Sequence, residues 1–392
     1  MRNRQIQEMI RTQMSNKKLE LYVHIPFCVK KCDYCDFLSG PAGESTMKAY
    51  TGALLAEMEG VRAAGTGAGH EIVSLFIGGG TPSLLDASDM ERILETLRKL
   101  FSFSPDAEIT IEANPGTLTA EKLNRYRKAG INRLSLGLQS ADDRELEVLG
   151  RIHTFRQFLE SFRLAREAGF MNLNVDLMSA IPGQTCESWI SSLRTVAGLE
   201  PEHISAYSLI VEPGTPFAER GLELPDEETE YRMYEDTAAV LKEYGYGQYE
   251  ISNYARKGYA CRHNTGYWKR TEYLGLGLGA SSLFEEIRLR NTRNMETYLK
   301  HSSDPRRIRR EHTPLTVKDR QEEFMFLGLR MTAGISRAEF RRSFGKSPEE
   351  IYGEVLEKYR KMGFLEQNGD FWRFTRKGIH VSNHILAEFL QD

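Results

Sequence analysis

Three of the five cysteines in this 392-residue chain stand on one short run, Cys28-Val29-Lys30-Lys31-Cys32-Asp33-Tyr34-Cys35. The spacing puts three thiolates on a single loop, one fewer than a closed tetrahedral metal site uses. On a cubane iron–sulfur cluster, which normally takes four cysteines, three ligands leave one iron open to bind something else. Two other readings compete. His24 would complete a Cys3His zinc site, but it stands in a stretch that reads as a strand and fits poorly with paired knuckle spacings. A disulfide framework fits less well: the cysteine count is odd, Cys186 and Cys261 are isolated, and the chain is long.

The residues around the thiols say more than their spacing. His24-Ile25-Pro26-Phe27-Cys28 before the first cysteine and Tyr34-Cys35-Asp36-Phe37 around the third resemble the radical S-adenosylmethionine (SAM) enzymes of the oxygen-independent coproporphyrinogen III oxidase group. The resemblance runs from Leu21 to about Phe284, with a further stretch near the C-terminus. It implies a [4Fe–4S] cluster on Cys28, Cys32 and Cys35, with the amino and carboxylate groups of SAM on the open iron. Electron transfer from such a cluster can cleave SAM to a 5′-deoxyadenosyl radical. That chemistry belongs to the cofactor, and the protein binds, orients and excludes water.

The elements that must position these groups follow from periodicity. After the cysteine loop, short apolar runs alternate with amphipathic segments, as in parallel βα units. Strands are expected at Leu21–Ile25, Ile72–Ile77, Glu108–Glu112, Arg133–Gly137, Asn172–Met178 and His203–Val211. Ser88 with Glu91 and Thr154 with Gln157 have capping-box spacing, and a helix over 119–129 closes at Gly130. The Thr154 helix shows an apolar face of Phe155, Phe158, Leu159, Phe162 and Ala165. Six strands fall short of the eight of a closed TIM barrel. The expected fold is therefore α/β, a partial (β/α)6 TIM-type barrel with a C-terminal, mostly helical, winged-helix-like domain. The expected boundaries are an extension over 1–19, the barrel over 20–215, a flanking segment over 216–310 and the C-terminal domain over 311–392.

Sites of parallel βα barrels lie at the C-terminal ends of the strands, where several polar residues of this chain fall. Gly79, Gly80 and Thr81 follow the second strand, and the glycines would let backbone N–H groups approach a ligand. Glu112 ends the third strand, Gln139 follows the fourth and Asp176 lies in the fifth. Each alone suits a turn or a cap; their common placement points to one site. In the group the chain resembles, matching positions bind SAM, which assigns Tyr22, Tyr34, Gly79, Gly80, Thr81, Glu112, Gln139, Arg151 and Asp176 to it. The chemistry agrees, since SAM offers an ammonium and hydroxyls to carboxylates and a carboxylate to Arg151.

Farther on, Cys261-Arg262-His263-Asn264-Thr265-Gly266-Tyr267-Trp268 concentrates ligating and aromatic residues. His263 suits an axial haem ligand, with Tyr267 and Trp268 as stacking surface. The same residues suit a structural knot in which His263 and Asn264 bond to backbone and Trp268 fills the core. A His-Asn-x-x-Tyr-Trp motif resembles that of the haem chaperones of this group, which implies haem binding at His263, Asn264, Tyr267 and Trp268, with Cys261 a weaker candidate. The Gly275–Ala280 run superficially matches a dinucleotide loop, but no acidic residue follows in a second βαβ unit, so a tight loop near the barrel mouth is expected.

In the C-terminal part, helices are expected over Gln321–Leu329, Ile335–Phe344 and Ile351–Met362, with a hairpin turn at Gly369-Asp370. Arg337, Arg341, Arg342 and Lys346 suggest DNA contact, yet acidic residues are interspersed and the chain's net charge is −3, which favours a domain covering the barrel or meeting a protein. That balance gives no argument for nucleic acid as a partner. A hydrophobic content of 40% without a membrane-length run or signal peptide points to the cytoplasm. The basic N-terminal stretch, with Ile6, Met9, Ile10 and Met14, reads as a surface helix or extension, and peripheral membrane contact stays open beside it.

Position 37 separates two functions. The oxidase pattern extends to Cys-x-x-x-Cys-x-x-Cys-x-Cys, and here its last place is Phe37. With the His263 motif and the short N-terminus, this favours a chaperone that binds cluster, SAM and haem and delivers haem to apo-haemoproteins. Oxidative decarboxylation of coproporphyrinogen III is the alternative. SAM cleavage and a homodimer are left open.

Overall fold

The structure is a computed structural model and describes residues 17–390. The apolar residues Ile6 to Met14 lie outside them. The expected extension over 1–19 is shortened at its far end, because the first strand starts at Lys17 and Leu19 is fully buried.

Six parallel strands lie side by side in chain order: β1 (Lys17–Ile25), β2 (His70–Gly79), β3 (Ser102–Ala113), β4 (Arg133–Gln139), β5 (Leu173–Ser179) and β6 (His203–Ser208). Helices Glu44–Ala63, Ala87–Leu100, Ala120–Lys128, Phe155–Glu167 and Cys186–Ala197 make the crossovers. The architecture is the expected partial barrel of the α/β class. Its strands alternate in a particular way. Leu19, Leu21, Val23 and Ile25 of β1 join one core with Leu54, Met58, Leu97, Phe158 and Leu193 of the helices. The intervening positions are also buried but polar: Glu20, Ser74, Glu108, Arg133, Asn174 and His203 are each at most 7% exposed. A parallel sheet is usually apolar on both faces; here the inner face carries hydrogen-bonding groups.

The Thr154–Gln157 capping box forms, Thr119 caps its helix, and Gly130 closes that helix at φ 94°. The Ser88–Glu91 box does not form. That helix starts at Ala87, and Glu91 instead accepts from Arg125 Nε at 2.9 Å, pinning two neighbouring helices. Leu159 is exposed, so the apolar face of its helix is narrower than its spacing suggests.

The sheet also continues beyond the six strands. Short strands β7 (Gly247–Gln248) and β8 (Asn253–Ala255) extend it past β6, while β9 (Tyr273–Leu276), β10 (Ser281–Phe284), β11 (Ile287–Asn291) and β12 (Arg309–Pro314) extend it past β1, giving twelve strands among the described residues. The glycine run is thus part strand, not only loop. Gly275 sits in β9, where a Cβ would come 2.1 Å from the Ser281 carbonyl oxygen, and only Gly277 and Gly279 turn, at φ 106° and 67°. Met233, Tyr254, Leu274 and Tyr298 from residues 216–310 share the barrel's core.

The C-terminal part has a core of its own around Met325, Phe340, Leu356 and Trp372. Helices Val317–Gly328, Arg337–Phe344 and Pro348–Lys361 pack with a small sheet of β13 (Ile335–Ser336), β14 (Leu365–Asn368) and β15 (Phe371–Phe374), turned at Gly369 with φ 58°. It lies against the barrel flank. Buried Glu323 accepts from Arg270 at 2.7 Å and Arg288 at 2.8 Å, and Glu235 pairs with His380 at 2.8 Å. Arg337, one of the four cations read as a DNA surface, is paired with Glu349. No helix among the described residues is long and apolar enough to cross a membrane.

Candidate functional site

The cysteine loop leaves the C-terminal end of β1 and is held along its length. Cys28 N–H donates to the Gly40 carbonyl at 3.1 Å and Gly40 N–H to Pro26 at 3.0 Å. Asp33 N–H donates to Leu149, Phe217 N–H donates to Asp33, and the Asp33 carboxylate pairs with Arg220 at 2.7 Å. All three thiols are free and partly exposed. Burial pushes the Cys28 and Cys35 thiols up, so binding of iron there would release protons.

The zinc alternative does not survive the placement of His24. Its Nε2 lies 2.9 Å from the Leu38 carbonyl oxygen, which can only accept, so Nε2 carries the proton and Nδ1 accepts from Tyr22 Oη at 3.0 Å. Both ring nitrogens are occupied. Among the described residues no three Cys, His, Asp or Glu groups converge as ligands of one ion would; thiolates that each serve a different iron of a cubane need not.

The Gly79-Gly80-Thr81 loop packs against this loop, and its backbone donors are already used. Gly79 N–H donates to Glu112 Oε2 at 3.0 Å, Gly80 N–H to Ile25 O at 2.8 Å and Thr81 N–H to Phe27 O at 2.6 Å. The expectation that these N–H groups face a ligand is therefore corrected. Glycine is required for close approach instead: a Cβ would lie 2.5 Å from the His24 ring at Gly79 and 2.5 Å from the Phe27 carbonyl oxygen at Gly80.

Across a cavity of about 420 Å³ from the three cysteines stand Glu112, Gln139, Arg151 and Asp176. Arg151 Nη1 donates to Cys32 Sγ at 3.4 Å, and Nη2 donates to Asn114 Oδ1 at 2.8 Å and the Gly137 carbonyl at 2.6 Å. Burial works against its charge, but Tyr34 and Cys32 more than offset this. Its Nε is buried without a partner. Burial, then the Asp176 charge, pushes the Glu112 carboxyl up to about 7. Asp176 accepts from Asn174 at 2.7 Å and Ser135 at 3.2 Å, and burial raises it too. Gln139 adopts φ 78°, a strained value for a side-chain-bearing residue, and accepts from Tyr207 at 2.8 Å. An orphaned guanidinium donor beside two half-buried carboxyls fits an amino acid with hydroxyls and an ammonium group.

Residues 22–196 match the Radical SAM superfamily and residues 315–381 the HemN C-terminal domain. The chain is 36% identical over 374 residues to the haem chaperone HemW of Bacillus subtilis, covering 94% of this chain and 98% of the relative. It is also 36% identical over 375 residues to HemW of Escherichia coli, covering 95% and 98%. The chain belongs to the HemW family of radical SAM proteins. Its fold is similar to that of the Escherichia coli coproporphyrinogen III oxidase HemN, a radical SAM enzyme, with a TM-score of 0.83, 25% identity, and 97% and 93% of the two chains covered. Membership in the superfamily implies a [4Fe–4S] cluster and SAM, and the cavity residues fit both.

Not every residue read as part of this family's SAM site lines the cavity. Tyr34 does, packed on Phe217 at 6.3 Å, whereas Tyr22 lines the neighbouring cavities. Asn114 and Tyr207 were missed. Asn114 ties Thr81 Oγ1, at 2.7 Å, to Arg151; its signal was its place two residues past Glu112, just beyond the end of β3.

The His263 motif forms the helix Arg262–Trp268, which closes the opposite end of the barrel interior. His263 is 1% exposed; its Nδ1 is 2.8 Å from Ser74 Oγ and its Nε2 2.9 Å from Tyr267 Oη. Burial, then Arg133, pushes its imidazole down to about 3, while burial foremost pushes nearby Glu20 up to about 9, so the two meet as neutral groups at 3.8 Å. Gly266 is needed because a Cβ would strike the Glu20 carboxyl. Cys261 lies at the same buried end, its Sγ 3.4 Å from Glu108 Oε1. Asn264 borders the interior cavity, and Trp268 lies under Arg330 of the C-terminal part.

Proposed function

We propose that the chain is a haem chaperone. It holds a [4Fe–4S] cluster on Cys28, Cys32 and Cys35, and SAM against Glu112, Gln139, Arg151 and Asp176, with Tyr22, Tyr34 and the Gly79-Gly80-Thr81 loop around them. It binds haem and passes it to apo-haemoproteins in the cytoplasm. When bound, the cluster and SAM supply electron transfer and radical chemistry or serve assembly and regulation; the chain's own residues orient SAM and keep Cys32 beside a fixed positive charge.

The observation that carries this reading is the end-to-end likeness to relatives named haem chaperone. Phe37 supports it: the side chain is 62% exposed and lines the cavity where the oxidase pattern has a further cysteine. The helix of His263, Asn264, Tyr267 and Trp268 is proposed to support haem binding. Both His263 ring nitrogens are engaged, so the residue reaches an iron only by giving up its bond to Ser74 or to Tyr267.

The fold likeness to HemN favours coproporphyrinogen III oxidation as a second reading. Anaerobic incubation with SAM, a reductant and coproporphyrinogen III separates the two. The chaperone reading expects no protoporphyrinogen IX, and repeated turnover overturns it.

A further inference from the structure

A second cavity, of about 660 Å³, lies beside the cluster loop and shares Asp36, Phe37, Gly79 and Glu112 with the SAM cavity. That volume is typical of a cofactor-sized site. The cavity is bounded by β9, β10 and β11 and by Leu327 of the C-terminal part. Two kinds of surface meet in it. Phe37, Leu38, Tyr273 and Leu283 give apolar and aromatic walls, and four arginines give charge. Two of the four are committed to the fold: Arg270 and Arg288 both grip Glu323. The other two are not held in this way. Arg290 pairs only across the strand edge with Glu311, which is half exposed, and Arg293 is exposed with no ion pair among the described residues.

An apolar and aromatic wall with two available guanidiniums suits a macrocycle carrying two carboxylates, because guanidinium and carboxylate match as paired donors and acceptors. Resting on the haem-chaperone reading, we infer that this cavity is the haem-docking site, with the macrocycle against Phe37, Leu38 and Leu283 and its two propionates on Arg290 and Arg293. Of the His263 motif only Tyr267 lines this cavity. The motif therefore supports the site from behind while His263 stays in the barrel. Glu112 and Gly79 form the shared boundary with the SAM cavity, so haem and SAM sit next to each other.

The test is a haem titration of the full-length, cluster-loaded protein, followed by Soret absorption, on the wild type and the R290E/R293E double variant. R341E/R342E, with the same charge change on exposed positions of the C-terminal part, serves as control. Iron content and the melting curve verify folding of each. A charge-assisted hydrogen bond contributes enough for about tenfold or more in affinity. The expected result is therefore at least about tenfold weaker binding in R290E/R293E and no change in the control. Haem dimethyl ester should bind the wild type more weakly than haem does. Unchanged affinity in R290E/R293E, with the wild type binding haem, overturns this location alone. Failure of the wild type to bind haem overturns the functional reading beneath it.

Discussion

Arg151 places Nη1 3.4 Å from Cys32 Sγ while Nη2 is held by Asn114 and Gly137. A half-buried guanidinium fixed by two acceptors on the barrel is a permanent positive charge against one proposed cluster ligand. Hydrogen bonds and charge at the sulfurs set cluster potentials. Arg151→Ala should make the reconstituted cluster harder to reduce, lowering its potential in an EPR-monitored redox titration, with Arg151→Lys intermediate. An unchanged potential in both variants would remove Arg151 from this role.

Gly80 tests whether the glycine loop serves packing. A methyl there meets the Phe27 carbonyl oxygen, which already accepts from Thr81 N–H. Overpacking at such a contact costs about 1–3 kcal/mol. Gly80→Ala should lower both the melting temperature and the iron and sulfide retained after anaerobic reconstitution. Gly169→Ala, where nothing lies within 4 Å, should retain its cluster even if its positive φ costs some stability.

Glu112 makes the site pH-sensitive. Its carboxyl is raised to about 7 from an ordinary 4.5, so the folded chain keeps a proton that the unfolded chain releases between these values. Its contribution to stability is full below about 4.5 and is lost as pH rises through about 7. SAM recognition as proposed runs the other way, because an ionised carboxylate would accept from the ligand's donors. SAM affinity measured by calorimetry on the cluster-loaded protein should rise from pH 6 to pH 8, and Glu112→Gln should flatten much of that rise.

His263 is a structural member of the barrel interior in this conformation. His263→Ala leaves Ser74 and Tyr267 without their shared partner and opens a cavity, which should cost about 2–4 kcal/mol in denaturant unfolding. Haem affinity of this variant is informative only alongside that measurement. A stability equal to wild type would mean that the imidazole is not packed as described.

The sequence made the six parallel strands and the cysteine loop legible because apolar periodicity and clustered thiols are local signals. Capping was legible where side chain and backbone meet within one turn, as at Thr154, and failed at Ser88, where Glu91 is drawn away by Arg125 from another helix. The glycines were seen, but their reason was not: the donors of Gly80 and Thr81 are taken by Ile25 and Phe27, a distant contact without periodicity. The same holds for the motif helix. Its residues looked like a ligand set, and only the fold shows Ser74 and Glu20 waiting for His263 and Gly266 inside the barrel. The flanking strands β7 to β12 were missed because they are short and take their order from pairing.

The central claim is delivery of haem. Haem-loaded protein mixed anaerobically with a haem-stripped recipient, and separately with an excess of a haem scavenger, gives the most direct measurement. Soret-detected transfer to the recipient is expected to be faster than spontaneous release to the scavenger and to depend on recipient concentration. Transfer limited by the release rate whatever the recipient would contradict it.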